Sequence, residues 1–320
     1  MEQKKNYYFV SVIIPNYNHA PYLDQRIQSV LNQTYKNFEV IILDDCSPDN
    51  GASKMIIEKY RGNPRVSHIV YNNQNSGSTF IQWNKGFQLS KGELIWIAES
   101  DDACKETFLD SLVEQFDNNK NLSFAYSDSL IIDESNVVTT VKVQESGSIL
   151  FYDGIEYIKT HLGIGKTIDN ASCVLFKKEN ALNVNRMYMD FKGGGDYMFW
   201  VLMAELGSVA HVQKPLNMNR RHSANVTKKL LKNGNNFKEL RKIYEYNCAK
   251  GYLNWFRRKR ALSAYTLYAY KQDFETIFIR KQVISSLNPG WFVKLFSYMR
   301  YILSDLRASL LAHFCNNQKN

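Results

Sequence analysis

Three carboxylates, Glu99, Asp101 and Asp102, crowd into the run Ala98-Glu99-Ser100-Asp101-Asp102, directly after the apolar stretch Leu94-Ile95-Trp96-Ile97. Acids at the end of a buried strand repel one another and lose hydration unless a cation or hydrogen-bond donors compensate. Hard divalent cations such as Mg²⁺ and Mn²⁺ take carboxylate oxygens, commonly one or two from the protein with the rest from substrate phosphates. Alternate residues at a strand end can aim two acids at one point. The same residues would also serve as a solvated loop, with Asp102 capping a helix expected over 105–115.

Further polar clusters recur along the chain. Asp44-Asp45-Cys46-Ser47 follows the apolar run Phe38–Leu43. An aspartate there can accept from a nucleotide base or ribose, or simply build an Asx turn. The segment Asn72–Gly86 offers Gly77 for close backbone approach, with Asn84 and Lys85 able to face phosphates. It contains no GxxxxGK[ST] loop, and no GxGxxG follows an early strand. Asp196 follows Gly193-Gly194-Gly195 at the start of an apolar helix, where a carboxylate is either an N-cap or a general base. Asn219–Thr227 joins Arg220 and Arg221 to His222. That mixture suits a pyrophosphate or metal–phosphate site, or a basic surface loop.

The elements that must position these groups alternate. Strands are expected at Val10–Ile14, Phe38–Leu43, Val66–Tyr71 and 93–98, with helices over 21–33, 50–60 and 79–90. In the first helix Leu23, Ile27, Val30 and Leu31 share one face. Near-continuous apolar strands separated by helices argue for a parallel sheet covered on both faces. In such sheets ligands bind beyond the carboxyl ends of the strands, where the polar clusters PNYN, DDCSPDN and ESDD all fall. Beyond about residue 115 the pattern is mixed: a strand at 124–128, an apolar helix at 196–206, and helices rich in Tyr, Trp, Phe, Lys and Arg from about 236.

Taken in order, these pieces resemble the family 2 glycosyltransferases. The residues that carry the likeness are VSVIIPNYN, SVLNQTYKNFEVIILDDCSPDN, the series Asn75, Gly77, Asn84, Gly86 and Gly92, ESDD, GGDYMFW and RRHSANVT, spanning residues 9–227. The resemblance implies an α/β glycosyltransferase-A fold, a mostly parallel central sheet flanked by helices, and an inverting transfer from a nucleotide-diphosphate sugar. It implies that Pro15, Tyr17, Asp45, Asn84, Lys85, Glu99 and Asp101 face the nucleotide. His222 and Arg221 would face the diphosphate. Asp101, Asp102 and His222 would hold a divalent cation, Mn²⁺ or Mg²⁺, and Asp196 would be the catalytic base. The chain departs from the family pattern at three places: Trp83 stands where many relatives carry arginine, Glu99 where aspartate is commoner, and Gly195 where glutamate is frequent.

The organisation expected is a catalytic domain over 1–227, with a nucleotide-binding half at 9–115 and an acceptor half at 116–227, followed by a basic helical region over 228–320. The 320 residues are 44% hydrophobic and 22% charged, which excludes a disordered chain. Cys46, Cys104, Cys173, Cys248 and Cys315 are odd in number and show no CxxC spacing, so neither a disulfide framework nor a zinc site is indicated. The apolar run Phe9–Pro15 is too short for a signal-peptide core, and no window reaches the roughly 18 apolar residues of a spanning helix.

A cytoplasmic protein is expected, held peripherally at the inner face of the cell membrane. Residues 228–320 carry 18 Lys and Arg against 5 Asp and Glu, while the remainder is mildly acidic. That tail mixes aromatics with cations, and Met299, Ile302, Leu303, Leu306 and Leu310 fall on one helical stripe, the composition of an interfacial helix on anionic lipid. The partners expected are a UDP-sugar donor, a glycan or lipid-linked acceptor and an anionic membrane surface, without nucleic acid. The alternatives are a sugar nucleotidyltransferase, which would show an early Gly- and Arg-rich phosphate loop, and a non-catalytic glycan-binding protein.

Overall fold

The computed structural model describes residues 8–141, 146–165, 167–222 and 230–317. The chain divides into two compact units, Met1–Tyr157 with Ile168–Ser223, and Ile158–Thr167 with Ala224–Asn320. The short segment Ile158–Thr167 thus groups with the C-terminal residues, although it interrupts the first unit in sequence.

The first unit opens with β1 (Val10–Asn16), α1 (Ala20–Leu31), β2 (Phe38–Asp44), α2 (Ala52–Glu58), β3 (Val66–Tyr71), α3 (Thr79–Leu89), β4 (Leu94–Ile97) and β5 (Ala103–Cys104). It continues with α4 (Phe108–Asn118), β6 (Leu122–Ile132), β7 (Val138–Val141), β8 (Ile149–Tyr152), α5 (Gly154–Tyr157), β9 (Val174–Lys177), α6 (Lys178–Asn183), α7 (Gly195–Ala204) and β10 (Ser208–Arg220). One sheet runs β3-β2-β1-β4-β9-β6-β10-β5, with β7 on β6 and β8 on β10. The first four strands are parallel, as are β6 and β10; β9 pairs antiparallel with both β4 and β6. The sheet is therefore parallel through its N-terminal part and mixed beyond it.

Every residue of β1 and β2 is buried, as strands covered on both faces must be. Val12, Ile14, Val40, Ile42 and Trp96 point into a core closed by Leu23, Ile27 and Val30 of α1 and by Phe108, Leu112 and Phe116 of α4. Ile13 points the other way, and α3 comes so close that a Cβ on Gly86 would lie 2.6 Å from the Ile13 side chain. Further along that face Phe87, Phe176, Phe199 and Trp200 pack with ring centroids 4.9–6.1 Å apart. These contacts fix α3 and α7, the elements that present Lys85 and Asp196.

The second unit contains helices Asn235–Ala249, Trp255–Tyr270, Ile277–Leu287 and Gly290–Asn317. Asn254 caps the second by accepting from Arg257 N at 3.0 Å, and Thr276 caps the third from Ile279 N at 3.2 Å. No helix among the described residues is long and apolar enough to cross a membrane. Of the expected apolar stripe in the last helix, the side chains of Leu306 and Leu310 lie outside the described residues, as does Ser223–Thr227 of the histidine motif.

Candidate active site

The chain runs outward from β1 to β2 and β3, then crosses back to place β4 on the other side of β1, so the carboxyl edge between β1 and β4 is the switch point where such sheets bind ligands. The ends of β1, β2 and β4 there carry Asn16 and Tyr17, Asp44 and Asp45, and Glu99 to Asp102.

At the β4 end Asp101 Oδ2 lies 3.0 Å from His222 Nε2, although the two stand 121 positions apart. Antiparallel pairing of β5 with β10 causes this, with Met218 opposite Ala103 and Asn217 opposite Cys104. Each step forward along β10 is a step back along the acid run. Arg220, 1% exposed, locks the crossing. Its backbone N–H donates to Asp102 Oδ1 at 2.9 Å. Its guanidinium donates to the Asp101 carbonyl at 2.7 Å, and at 2.8 Å each to the Asp133 carbonyl and the side chains of Gln25 and Asn136. It also stacks 4.8 Å from the ring centroid of Tyr22.

His19, just beyond β1, completes the cluster. Its Nδ1 is 2.9 Å from Ser100 Oγ, and its ring meets that of His222 edge-on at 5.4 Å. Ligand atoms of His19, Asp101 and His222 all lie within 4.8 Å of one another, close enough to share one ion. Two imidazoles and a carboxylate are a donor set that fits a divalent cation. Burial opposes ionisation of Asp101, but the hydrogen bond from His222 and the nearby His19 hold its carboxyl below the usual aspartate range. Burial pushes the His19 imidazole down, which favours the neutral, metal-binding form.

The neighbouring acids face inward instead. Asp102 is 2% exposed, and its oxygens accept from Arg220 N and from the Asn170 side chain. Burial and Asp101 raise its carboxyl to about 6. Glu99 is pushed up to about 8, by burial first and then by Asp101 and Asp102. Its carboxyl accepts from Trp83 Nε1 at 3.1 Å, the position where the sequence departs from the family's arginine. Arg26, fully buried on α1, donates Nε to the Glu99 carbonyl at 2.9 Å and lies 5.3 Å from the Trp96 ring centroid. Its Nη1 and Nη2 find no oxygen partner among the described residues.

At the β2 end Asp45 organises the loop below it. It accepts from Ser76 N at 3.0 Å, Ser76 Oγ at 2.7 Å, Gln82 Nε2 at 2.9 Å, and the side chains of Asn72 and Asn75. Asp44 accepts from Asn16 Nδ2 at 2.7 Å and Ser47 Oγ at 2.6 Å. Pro15 is buried within β1, and Tyr17, 45% exposed, projects past its end. On α3, Lys85 donates to Asn72 Oδ1 and Asn84 is half-buried. Asp196 sits in the first turn of α7, with Oδ1 accepting from Tyr197 N at 2.7 Å. Arg221 is exposed, with its N–H held by the Ile132 carbonyl at 2.8 Å.

The structure thus brings Asp101 to His222, turns Arg220 of the histidine motif inward as a clamp on Asp101 and Asp102, and adds His19 and Arg26, which the sequence patterns do not single out. For Arg26 a signal exists: it stands on the same helical stripe as Leu23, Ile27 and Val30, where a charge is out of place unless compensated.

A half-parallel sheet of this order, with acids at the β4 end meeting the final strand, defines the glycosyltransferase-A class of fold. Residues 11–176, more than half of the chain, match the model of glycosyl transferase family 2, and the chain belongs to that family. Over 105 residues it is 41% identical to poly(ribitol-phosphate) beta-N-acetylglucosaminyltransferase TarP of Staphylococcus aureus, a match covering 32% of this chain and 31% of TarP. Over 118 residues it is 33% identical to the putative teichuronic acid biosynthesis glycosyltransferase TuaG of Bacillus subtilis, covering 37% and 45%. These matches span less than half the length of either relative. Crystal structures of S. aureus TarS 1–349 in complex with UDP and with UDP-GlcNAc superpose with TM-scores of 0.55 and 0.56 at 17% and 16% identity. They cover 87% and 88% of this chain and 70% and 72% of theirs, and show the shared fold.

Proposed function

We propose that the chain transfers a sugar from a UDP-sugar to a hydroxyl of a glycan or lipid-linked acceptor, with inversion at the anomeric carbon, in the synthesis of a surface glycopolymer. The observation that carries this reading is the convergence of His19, Asp101 and His222 at the carboxyl edge of the parallel strands. The TarS complexes with UDP and UDP-GlcNAc and the activity named for TarP support the donor class; the teichuronic acid role named for TuaG supports the product class.

Asp101, His222 and His19 would hold the divalent cation, whose charge offsets that developing on the diphosphate as it leaves. Two imidazoles among the donors favour Mn²⁺ over the oxygen-loving Mg²⁺. Asp102 serves as the brace that sets Asp101 against Arg220 rather than as a direct ligand. Arg221 stands beside the diphosphate. Tyr17 and Pro15 line the base, Asp45 shapes the loop beneath it, and Asn84, Lys85 and Glu99 face the nucleotide. Asp196 takes the proton from the acceptor hydroxyl, whose oxygen attacks in line and displaces the nucleotide diphosphate. A single displacement needs no covalent sugar–enzyme intermediate. A lipid-linked acceptor would place this chemistry at the cytoplasmic face of the membrane, where residues 228–320 meet anionic lipid.

Calorimetric titration of UDP, GDP and CDP with and without Mn²⁺ tests the reading. Metal-dependent binding of UDP alone, lost in Asp101→Ala, is expected. Binding of UDP that is indifferent to both Mn²⁺ and Asp101→Ala would refute it.

A further inference from the structure

Helix Gly290–Asn317 has two unlike faces. Ser297 and Tyr301, one and two turns beyond the buried Val293, turn toward helix Trp255–Tyr270: Ser297 and Ser263 hydroxyls are 3.1 Å apart, and the rings of Tyr301 and Tyr270 stack at 5.9 Å. A different stripe, spaced at helical intervals, carries Phe292, Leu295, Phe296, Met299 and Leu303, which are 74, 45, 52, 54 and 64% exposed. An apolar face this continuous marks an interaction surface rather than the scattered apolar residues of an ordinary exterior.

The two helices run in the same direction, since their contacts advance together from Ser263 and Ser297 to Tyr270 and Tyr301. Trp255 and Phe256, 64 and 75% exposed, therefore lie at the same end of the pair as Trp291 and Phe292. Both starts are aromatic, and both lead into cations.

Charge says what covers this face. No acidic residue occurs between Glu245 and Asp273 or between Glu275 and Asp305. Arg257, Arg258, Lys259 and Arg260 follow the first aromatic pair, and Lys294 and Arg300 accompany the second. Self-association would set these cations against their own copies. An anionic bilayer satisfies both components: Trp, Phe, Leu and Met enter the headgroup–acyl boundary while Lys and Arg stay with lipid phosphates.

We propose that the Phe292–Leu303 stripe, with Trp255 and Phe256, is the surface by which this chain lies on anionic phospholipid. It deepens the function proposed above and rests on it only for the acceptor being lipid-linked; the docking itself does not depend on transferase chemistry.

The test is co-sedimentation of the full chain with vesicles of phosphatidylcholine alone and of phosphatidylcholine mixed with phosphatidylglycerol, at low and high salt. Binding to the mixed vesicles at low salt is expected, falling about tenfold at high salt and on neutral vesicles. Phe292→Ser with Phe296→Ser should reduce binding about tenfold, because two exposed aromatics leave the boundary. Lys294→Glu with Arg300→Glu should abolish the preference for phosphatidylglycerol. Both double variants change exposed side chains, and unchanged thermal unfolding confirms their fold. The proposal is overturned if the wild-type chain ignores the mixed vesicles. It is equally overturned if the Phe pair leaves vesicle binding intact but turns an oligomer into a monomer by light scattering, which would make the stripe a self-interface. UDP titration of the same proteins separates the two readings: vesicle binding without UDP binding removes the transferase function and leaves the docking surface standing.

Discussion

Trp83 donates its indole N–H to the Glu99 carboxyl across 3.1 Å, and the same indole meets Phe80 edge-on at 5.0 Å. Phe80 in turn packs so tightly on the first residue of α7 that a Cβ on Gly195 would come within 2.4 Å of its ring. The acid run and the start of α7 are thus joined by a continuous packed path. Trp83→Phe keeps the ring but leaves a buried carboxyl without its donor, a loss of about 1–3 kcal/mol. Urea unfolding should register that loss, and affinity for UDP with Mn²⁺ should fall alongside it. An unchanged midpoint would mean that the contact contributes nothing.

Arg26→Met should be more damaging. The methionine fills similar space but removes a fully buried cation near Glu99 and Asp102, and an uncompensated buried charge costs about 3–5 kcal/mol. The loss should be largest with chelator present and shrink when Mn²⁺ is added, as read by thermal unfolding. Equal losses in both conditions would place the effect in packing over Trp96 instead of charge.

Asp196→Asn preserves shape and removes the proposed base. Sugar transfer should drop by about a hundredfold or more. Binding of UDP with Mn²⁺ should stay within about twofold, because the acid cluster lies on other elements. A variant with full turnover would strike Asp196 from the mechanism.

Glu39 offers a pH test away from the cluster. It is 4% exposed and accepts from Ser11 Oγ and Lys91 N, each at 2.7 Å. Burial would raise its carboxyl, but hydrogen bonds from Ser67, Lys91 and Ser11 together prevail and hold it below the usual 4.5. A carboxyl lower in the folded state adds stability above its unfolded value, and that stability disappears as pH falls through the folded value. The difference in melting temperature between wild type and Glu39→Gln should therefore be full at neutral pH, begin to shrink as pH falls through 4.5, and close once pH passes below the lower folded value.

The parallel strands were legible in the sequence because Val10–Asn16 and Phe38–Asp44 are buried on both faces and read as near-continuous apolar runs, broken within only by Ser11 and Glu39. The acid run and the histidine motif stood out by residue type, but that Asp101 meets His222 was legible only through the resemblance: periodicity carries nothing about the antiparallel β5–β10 pairing that joins them. β5 is two residues long, too short to leave a pattern. The strand expected at 124–128 extends to Leu122–Ile132 because its later residues pair with β7 and β10, partners that local sequence does not specify. His19 escaped because its role depends on Ser100 and His222, both remote in the chain.

Arg220 grips Gln25, Asp101, Asp133 and Asn136, so the last strand of the first unit holds together segments made long before it. During synthesis on the ribosome, Asp101 and its neighbours emerge well ahead of their clamp. A nascent chain halted before residue 220 would carry the acid run with neither Arg220 nor His222 to restrain it. The metal site proposed for His19, Asp101 and His222 would therefore be completed late and in one step, when β10 slots between β6 and β5.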